Sequence, residues 1–202
     1  MKRLKSVHNN SVDDKGLIMI KRGFILILLL IIASCSNIKP NGDNKAELVG
    51  AVRAGMPAID VTTSIYELPV NDGVSYQDVV DRLKSVSEVL NFVNPANFPI
   101  AVHIKKRGID PQGIKEVHSF CNLSLGTDIF LDHPEFLVFA PCRIAIYEKP
   151  DANQKLKLFI ALARPTYDLK SIKNPTLRAQ KSAQELETTL LEILDKARKG
   201  DL

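Results

Sequence analysis

The sequence predicts a single α+β domain, with an antiparallel sheet and two main helices packed on one face. Three observations carry that expectation. Two segments, near 75–90 and 175–199, repeat apolar residues at helical spacing. Between them lie short, β-rich apolar runs separated by polar turns. Grouped strands flanked by helices favour an antiparallel sheet over an alternating parallel one.

The elements follow in chain order. "AIDVTTSIYELPV" (58–70) alternates around Ile59, Val61 and Ile65 and predicts a strand. Val79, Leu83, Val86 and Leu90 then share one helix face, and Ser75 with Asp78 forms an N-terminal cap signal. Asn94-Pro95 is expected to stop this helix. "FPIAVHIKK" predicts a strand, "RGIDPQGIK" a loop and "EVHSFC" a further strand. "LSLGTDIFLDHP" predicts a short helix ended at Pro134. Phe136 to Tyr147 is the strongest strand signal, interrupted by Pro141, which implies a bulge, bend or edge. "LKLFIALARP" pairs with it across "KPDANQK". Asn174 as cap and Pro175 in the first turn open the last helix. Ala183, Leu186, Leu190, Ile193 and Ala197 form its stripe, and Gly200 ends it.

The N-terminal region carries an address. Lys21 and Arg22 precede an apolar run, Phe24–Ala33, of ten residues, too short to span a bilayer comfortably. Positive flank, short apolar stretch and small residues describe a secretory signal peptide over 1–34, with Met19 as the expected true start. Its end, Ile32-Ala33-Ser34-Cys35, resembles a bacterial lipoprotein lipobox, which implies acylation (palmitate) at Cys35 and cleavage just before it. The alternative is an ordinary anchor helix with Cys35 as a bystander. Several acyl chains on one residue hold a protein stably to a membrane. Ser36 in place of Asp favours the outer membrane, on the periplasmic side. Residues 35–46 then read as a polar tether, and 47–202 as the folded domain.

Charge excludes one class of function. The chain holds 27 basic and 23 acidic residues. Six basic and two acidic residues lie within 1–34, leaving 21 of each in the body. A neutral body is no argument for nucleic-acid binding.

Cys121 and Cys142 are the cysteines of the body, with twenty residues between them. In an oxidising compartment they are a disulfide candidate, whose loop closure is worth about 3 kcal/mol. The rivals are metal ligation with His118, in the manner of zinc or copper sites, and two buried unbonded thiols. His118 and Cys121 point to opposite faces of a regular strand, which weakens that pair as ligands. His103 and His133 are the body's other histidines. Arg143 beside Cys142 could lower a thiol pKa, though strand arginines more often keep their heads in water. Asp128 and Asp132 read as a solvated face, Phe130, Phe136 and Phe139 as core, and Lys105-Lys106-Arg107 as an exposed loop. No Gly-rich phosphate loop, Gly-x-Ser-x-Gly or His-Glu-x-x-His is present, so no catalytic residue is assigned.

The segment Phe120–Glu148 resembles the domain of unknown function 302 family. The matching pieces are Cys121-Asn122, Asp132 to Pro134, and Pro141-Cys142-Arg143, with the resemblance extending over roughly residues 59–202. It implies a compact α+β fold, an antiparallel sheet backed by two helices, and no particular activity. It marks Cys121, Asn122, Cys142 and Arg143 as motif residues. "NLSLG" departs from the family pattern: Ser124 and Gly126 imply a shorter or looser helix there.

Two functions remain open from the sequence. One is a non-enzymatic accessory domain that holds a small ligand, a metal ion or an envelope partner near Cys121 and Cys142, with His118 beside them. The other is a thiol-disulfide or sulfur-handling component, which needs an exposed thiolate. The expected partners are the membrane through the lipid, the ligand or envelope protein, and a second copy of the chain.

Overall fold

A computed structural model of the protein describes Met56, residues 58–60 and residues 62–200. The expected signal peptide, Cys35 and the expected tether lie outside the described residues. The elements are β1 (Ile65–Pro69), α1 (Tyr76–Val89), β2 (Val93–Phe98), α2 (Ile100–Lys106), β3 (Lys115–Cys121), α3 (Leu123–Asp132), β4 (Cys142–Pro150), β5 (Leu156–Ala163), α4 (Pro165–Asp168) and α5 (Leu177–Lys199). Short 3-10 turns cover Pro134–Phe139 and Leu169–Ser171.

The five strands form one sheet in the order β1-β5-β4-β3-β2, with every neighbouring pair antiparallel. Strands β2 to β5 therefore form a meander, and β1 closes the far edge. The register places Leu68, Ile160 and Ile146 side by side, followed by Tyr66, Leu162 and Ile144. All six are buried. They pack with Val79, Leu83 and Val86 of α1, Ile129 of α3, and Leu186, Leu190, Ile193 and Leu194 of α5 in one core. The fold is α+β, as the sequence predicts, with α3 joining the two longer helices on the covered face.

Several local expectations need correction. β1 is shorter than the alternation implied and opposite in phase: Tyr66 and Leu68 are buried, while Ile65 is 59% exposed. Upstream, Asp60 Oδ1 accepts the Thr62 N–H at 2.8 Å, a local turn that competes with strand pairing. Helix α1 begins with the expected reciprocal Ser75–Asp78 cap. It ends at Val89, before Asn94-Pro95, because Asn91 takes a left-handed conformation (φ 61°). Asn94 and Pro95 lie inside edge strand β2, at an irregularity between Val93 and Ala96, where a missing N–H is tolerated.

"FPIAVHIKK" is mostly helix α2, not strand, with Ala101 and Ile104 three residues apart on its less exposed side. The predicted long strand from Phe136 is divided. Pro134 opens a 3-10 turn that buries Phe136, the Ala140–Pro141 peptide is cis, and β4 starts only at Cys142. Thr176, not Asn174, caps α5, its side chain accepting the Ala179 N–H at 3.1 Å. Gly200 ends that helix in the left-handed region, as expected.

Candidate functional site

The motif residues converge at one end of the sheet, where β3 ends, β4 begins and β5 ends. Cys121 is the last residue of β3 and pairs with Val93. Cys142 is the first residue of β4 and pairs with Phe120, so Cys121 is one residue past the point of pairing. Strand alternation turns Cys142 toward the core layer with Phe120, and Cys121 toward the other face with Ser119 and Arg143. Both carry free thiols in this structure and both are half-buried.

The local electrostatics favour protonated sulfur. Burial raises the Cys121 thiol above its ordinary value. Burial pushes Cys142 up to about 12, with Cys121 and Asp168 adding to the rise and Arg143 opposing it. Asp168 closes α4, and burial raises its carboxyl too, against the pull of Arg143 and with the help of Glu187. Arg143 thus sits within electrostatic reach of a thiol and an acid, yet does not overcome their desolvation.

Asn122 has a structural role. It caps α3: its buried side chain accepts the Leu125 N–H at 3.1 Å, and its carbonyl accepts the Gly126 N–H at 2.9 Å. Helix α3 is not shortened by "NLSLG"; it runs for ten residues. Gly126 gives space to Phe130, whose ring would lie 2.9 Å from an added Cβ. Phe130, Phe136 and Phe139 form an aromatic chain with centroid separations of 6.4 and 5.3 Å.

The metal-ligand set does not assemble. His118 is buried on the core face, opposite Ile144, and its Nε2 bonds Glu116 at 3.1 Å. The same Glu116 oxygen accepts the Tyr76 hydroxyl at 2.6 Å. His118 and Cys121 lie on opposite faces, as strand alternation predicts. His133 Nε2 accepts the Thr176 N–H at 3.0 Å at the start of α5, and His103 is exposed on α2. Among the described residues, no group of three or more His, Cys, Asp or Glu is placed to hold a metal ion. Asp128 and Asp132 are not merely solvated. Asp132 accepts from Arg178 Nε at 3.0 Å and Thr176 Oγ1 at 2.6 Å, and Asp128 accepts from Ser182 at 3.2 Å, tying α3 to α5.

Sequence reasoning missed the residues that hold this end together. Arg164, at the end of β5, is buried against Glu187 of α5, with Nε and Nη2 both 3.0 Å from Oε1. Its Nη1 donates to the carbonyls of Asp60 (2.8 Å) and Thr63 (2.9 Å), and Glu187 Oε2 accepts the Thr166 N–H at 3.0 Å. The carbonyl of Arg164 receives the Asp168 N–H at 3.0 Å, so this pair anchors the turn that presents Asp168. A signal was present: Glu187 is an acid on the apolar stripe, four residues after Ala183 and three before Leu190.

A five-stranded antiparallel sheet with its three longest helices on one face and a paired-cysteine end defines the class of protein. The sequence matches the family described as "Domain of unknown function DUF302" over residues 66–197, and the chain belongs to that family. It is similar in fold to an uncharacterized conserved DUF302 protein from Bacillus stearothermophilus, solved by crystallography. That likeness has a TM-score of 0.58 and 17% identity, and covers 67% of this chain and 98% of the other. No curated protein matches the chain.

Proposed function

We propose that this protein is a lipid-anchored component of the bacterial cell envelope, held at Cys35 and directed to the outer membrane. Its folded domain is a non-enzymatic accessory module that binds a small ligand or an envelope partner at the Cys121/Cys142 end of the sheet. The observation that carries the binding reading is the convergence of both motif pairs with Asp168 around thiols that burial keeps protonated. A thiol enzyme or disulfide carrier needs a thiolate near neutral pH, and this environment opposes one. Metal binding is not carried forward, because His118 is committed to Glu116 and lies on the face opposite Cys121.

The test is intact mass of the mature protein after brief iodoacetamide treatment near neutral pH, with and without prior reduction. The expected result is slow alkylation of both thiols, slower at Cys142, and no dependence on reduction. A reduction-dependent gain of two adducts, or rapid labelling of either thiol, would replace the binding reading with the redox one. The anchor has its own test. Cys35→Ala is expected to leave the precursor unprocessed and unlabelled by radioactive palmitate; normal acylation and membrane recovery of that variant would remove the lipoprotein reading.

A further inference from the structure

Helix α2 and its flanks form a surface that the paired-cysteine site does not use. Within residues 98–109, four large apolar side chains stand in solvent: Phe98 is 50% exposed, Ile100 40%, Val102 47% and Ile109 56%. Lys105, Lys106 and Arg107 follow at the end of α2 and are all exposed. None of these three cations has an acidic partner among the described residues. Lys115, just beyond, donates its Nζ to the Gln112 carbonyl at 2.9 Å. Asp110 is the sole acid between positions 98 and 115. The body is neutral as a whole, so this is a local concentration of positive charge beside a local concentration of exposed carbon.

The helix lies over the open face of the sheet. It packs on β3, and a groove of about 440 Å³ separates Ile100 from Val117, Ala145 and Tyr147. Packing uses Ala101 and Ile104, which leaves Val102, His103 and Lys106 on the outward side. Exposed apolar groups that cluster, instead of scattering singly, mark an interaction surface. Their combination with lysine and arginine that meet no acid among the described residues is what an interfacial segment requires: carbon to enter the acyl boundary, and cations for the anionic headgroups. A nucleic acid would use the cations and leave Phe98, Val102 and Ile109 without a role. An apolar protein groove would leave the cations without one.

We infer that α2 and its flanks are a membrane-docking surface, which rests on an anionic phospholipid bilayer with Val102 at the headgroup–acyl boundary. This contact is separate from acylation of Cys35, and it would set how the folded domain lies on the surface.

The chain contains no tryptophan, so one introduced indole reports one position. Val102→Trp in the full-length protein is mixed with vesicles of phosphatidylcholine and phosphatidylglycerol carrying brominated acyl chains. Val89→Trp, at a site 85% exposed at the end of α1, serves as the control. The expected result is a blue shift and strong bromine quenching at position 102, and neither at 89. Quenching should be lost on phosphatidylcholine alone, at high salt, and when Lys105, Lys106 and Arg107 are all changed to Gln. Because the signal is the depth of one residue, it does not depend on whether Cys35 is acylated. Absence of quenching at 102 in protein recovered with the vesicles, or equal quenching at 89, would overturn the inference. So would binding that responds to salt and to the Gln changes while the indole stays unquenched, which is the behaviour of a purely electrostatic partner such as a nucleic acid.

Discussion

Arg164→Met is the substitution with the most to say about how the paired-cysteine end is held. Arg164 and Glu187 side chains are each only 7% exposed, and every polar atom of the pair that the fold buries is bonded. Removing the guanidinium leaves Glu187 buried with only Thr166 as donor among the described residues, and it takes one donor from the carbonyls of Asp60 and Thr63. Breaking a buried pair from one side costs about 3–5 kcal/mol, because a charge is left uncompensated. At roughly 2–4 °C per kcal/mol for a domain of this size, the melting temperature should fall by about 6–20 °C. Arg164→Met/Glu187→Leu removes both charges and should recover most of that loss, since well-packed apolar replacements of a buried pair are often neutral. Urea unfolding followed by circular dichroism measures these two variants and Glu187→Leu, and gives the coupling energy. A single-variant loss under about 1 kcal/mol, or a double variant that merely sums the two singles, would refute the reasoning. The clamp also predicts chemistry. Alkylation of Cys142 should speed up in Arg164→Met, where the α4 turn loosens, and return toward the parent rate in the double variant.

Three further outcomes follow from local geometry. Asp132 is held down to about 2 by Arg178 and Thr176, so its contribution is present above its ordinary value of 3.8 and is lost as pH falls from there toward 2; the melting-temperature deficit of Asp132→Asn should shrink across that window. Gly126→Ala should destabilise the parent, because the Phe130 ring must move, yet stabilise a Phe130→Ala background by about 1 kcal/mol through helix propensity; the change of sign, read by denaturant titration, is the check. Asn122→Ala should cost about 1 kcal/mol as a lost cap while Asn122→Asp costs little; a large loss with Asp would mean that the amide has a role beyond capping.

Legibility in the sequence followed the strength of the local signal. Helices α1 and α5 were readable because each carries an apolar stripe of several turns, and α1 a reciprocal cap. Strands β3 and β5 were readable from short β-rich runs. Failures occurred where two local rules gave opposite answers. Phe136–Phe139 has strand composition, but Pro134 at the first turn and Pro141 at the end favour a tight helical turn between them. "FPIAVHIKK" has β-branched residues, but its inward positions repeat at three, not two. In both, composition and period disagree, and period follows what is buried.

The site was legible in a different and narrower sense. Family resemblance marked Cys121, Asn122, Cys142 and Arg143 as a motif, and the sheet register brings them to one end. What it could not supply is which of them serve chemistry and which serve shape. Asn122 is accounted for by the helix it caps, and an Asp there would accept the same N–H. Pro141 marks the corner between the 3-10 turn and β4. Cys121, Cys142 and Arg143 remain without a structural duty of that kind, and Asp168 joins them from an element 25 residues further along the chain than Arg143. If the site acts through those four, Asp168→Asn should leave α5 and the sheet intact, as judged by circular dichroism, and lower the Cys142 pKa by removing a negative neighbour. Alkylation of Cys142 followed against pH would then show its rise displaced toward neutrality. An unmoved profile would mean that Asp168 belongs to the α4 turn alone, and that the motif is a packing arrangement around two buried thiols.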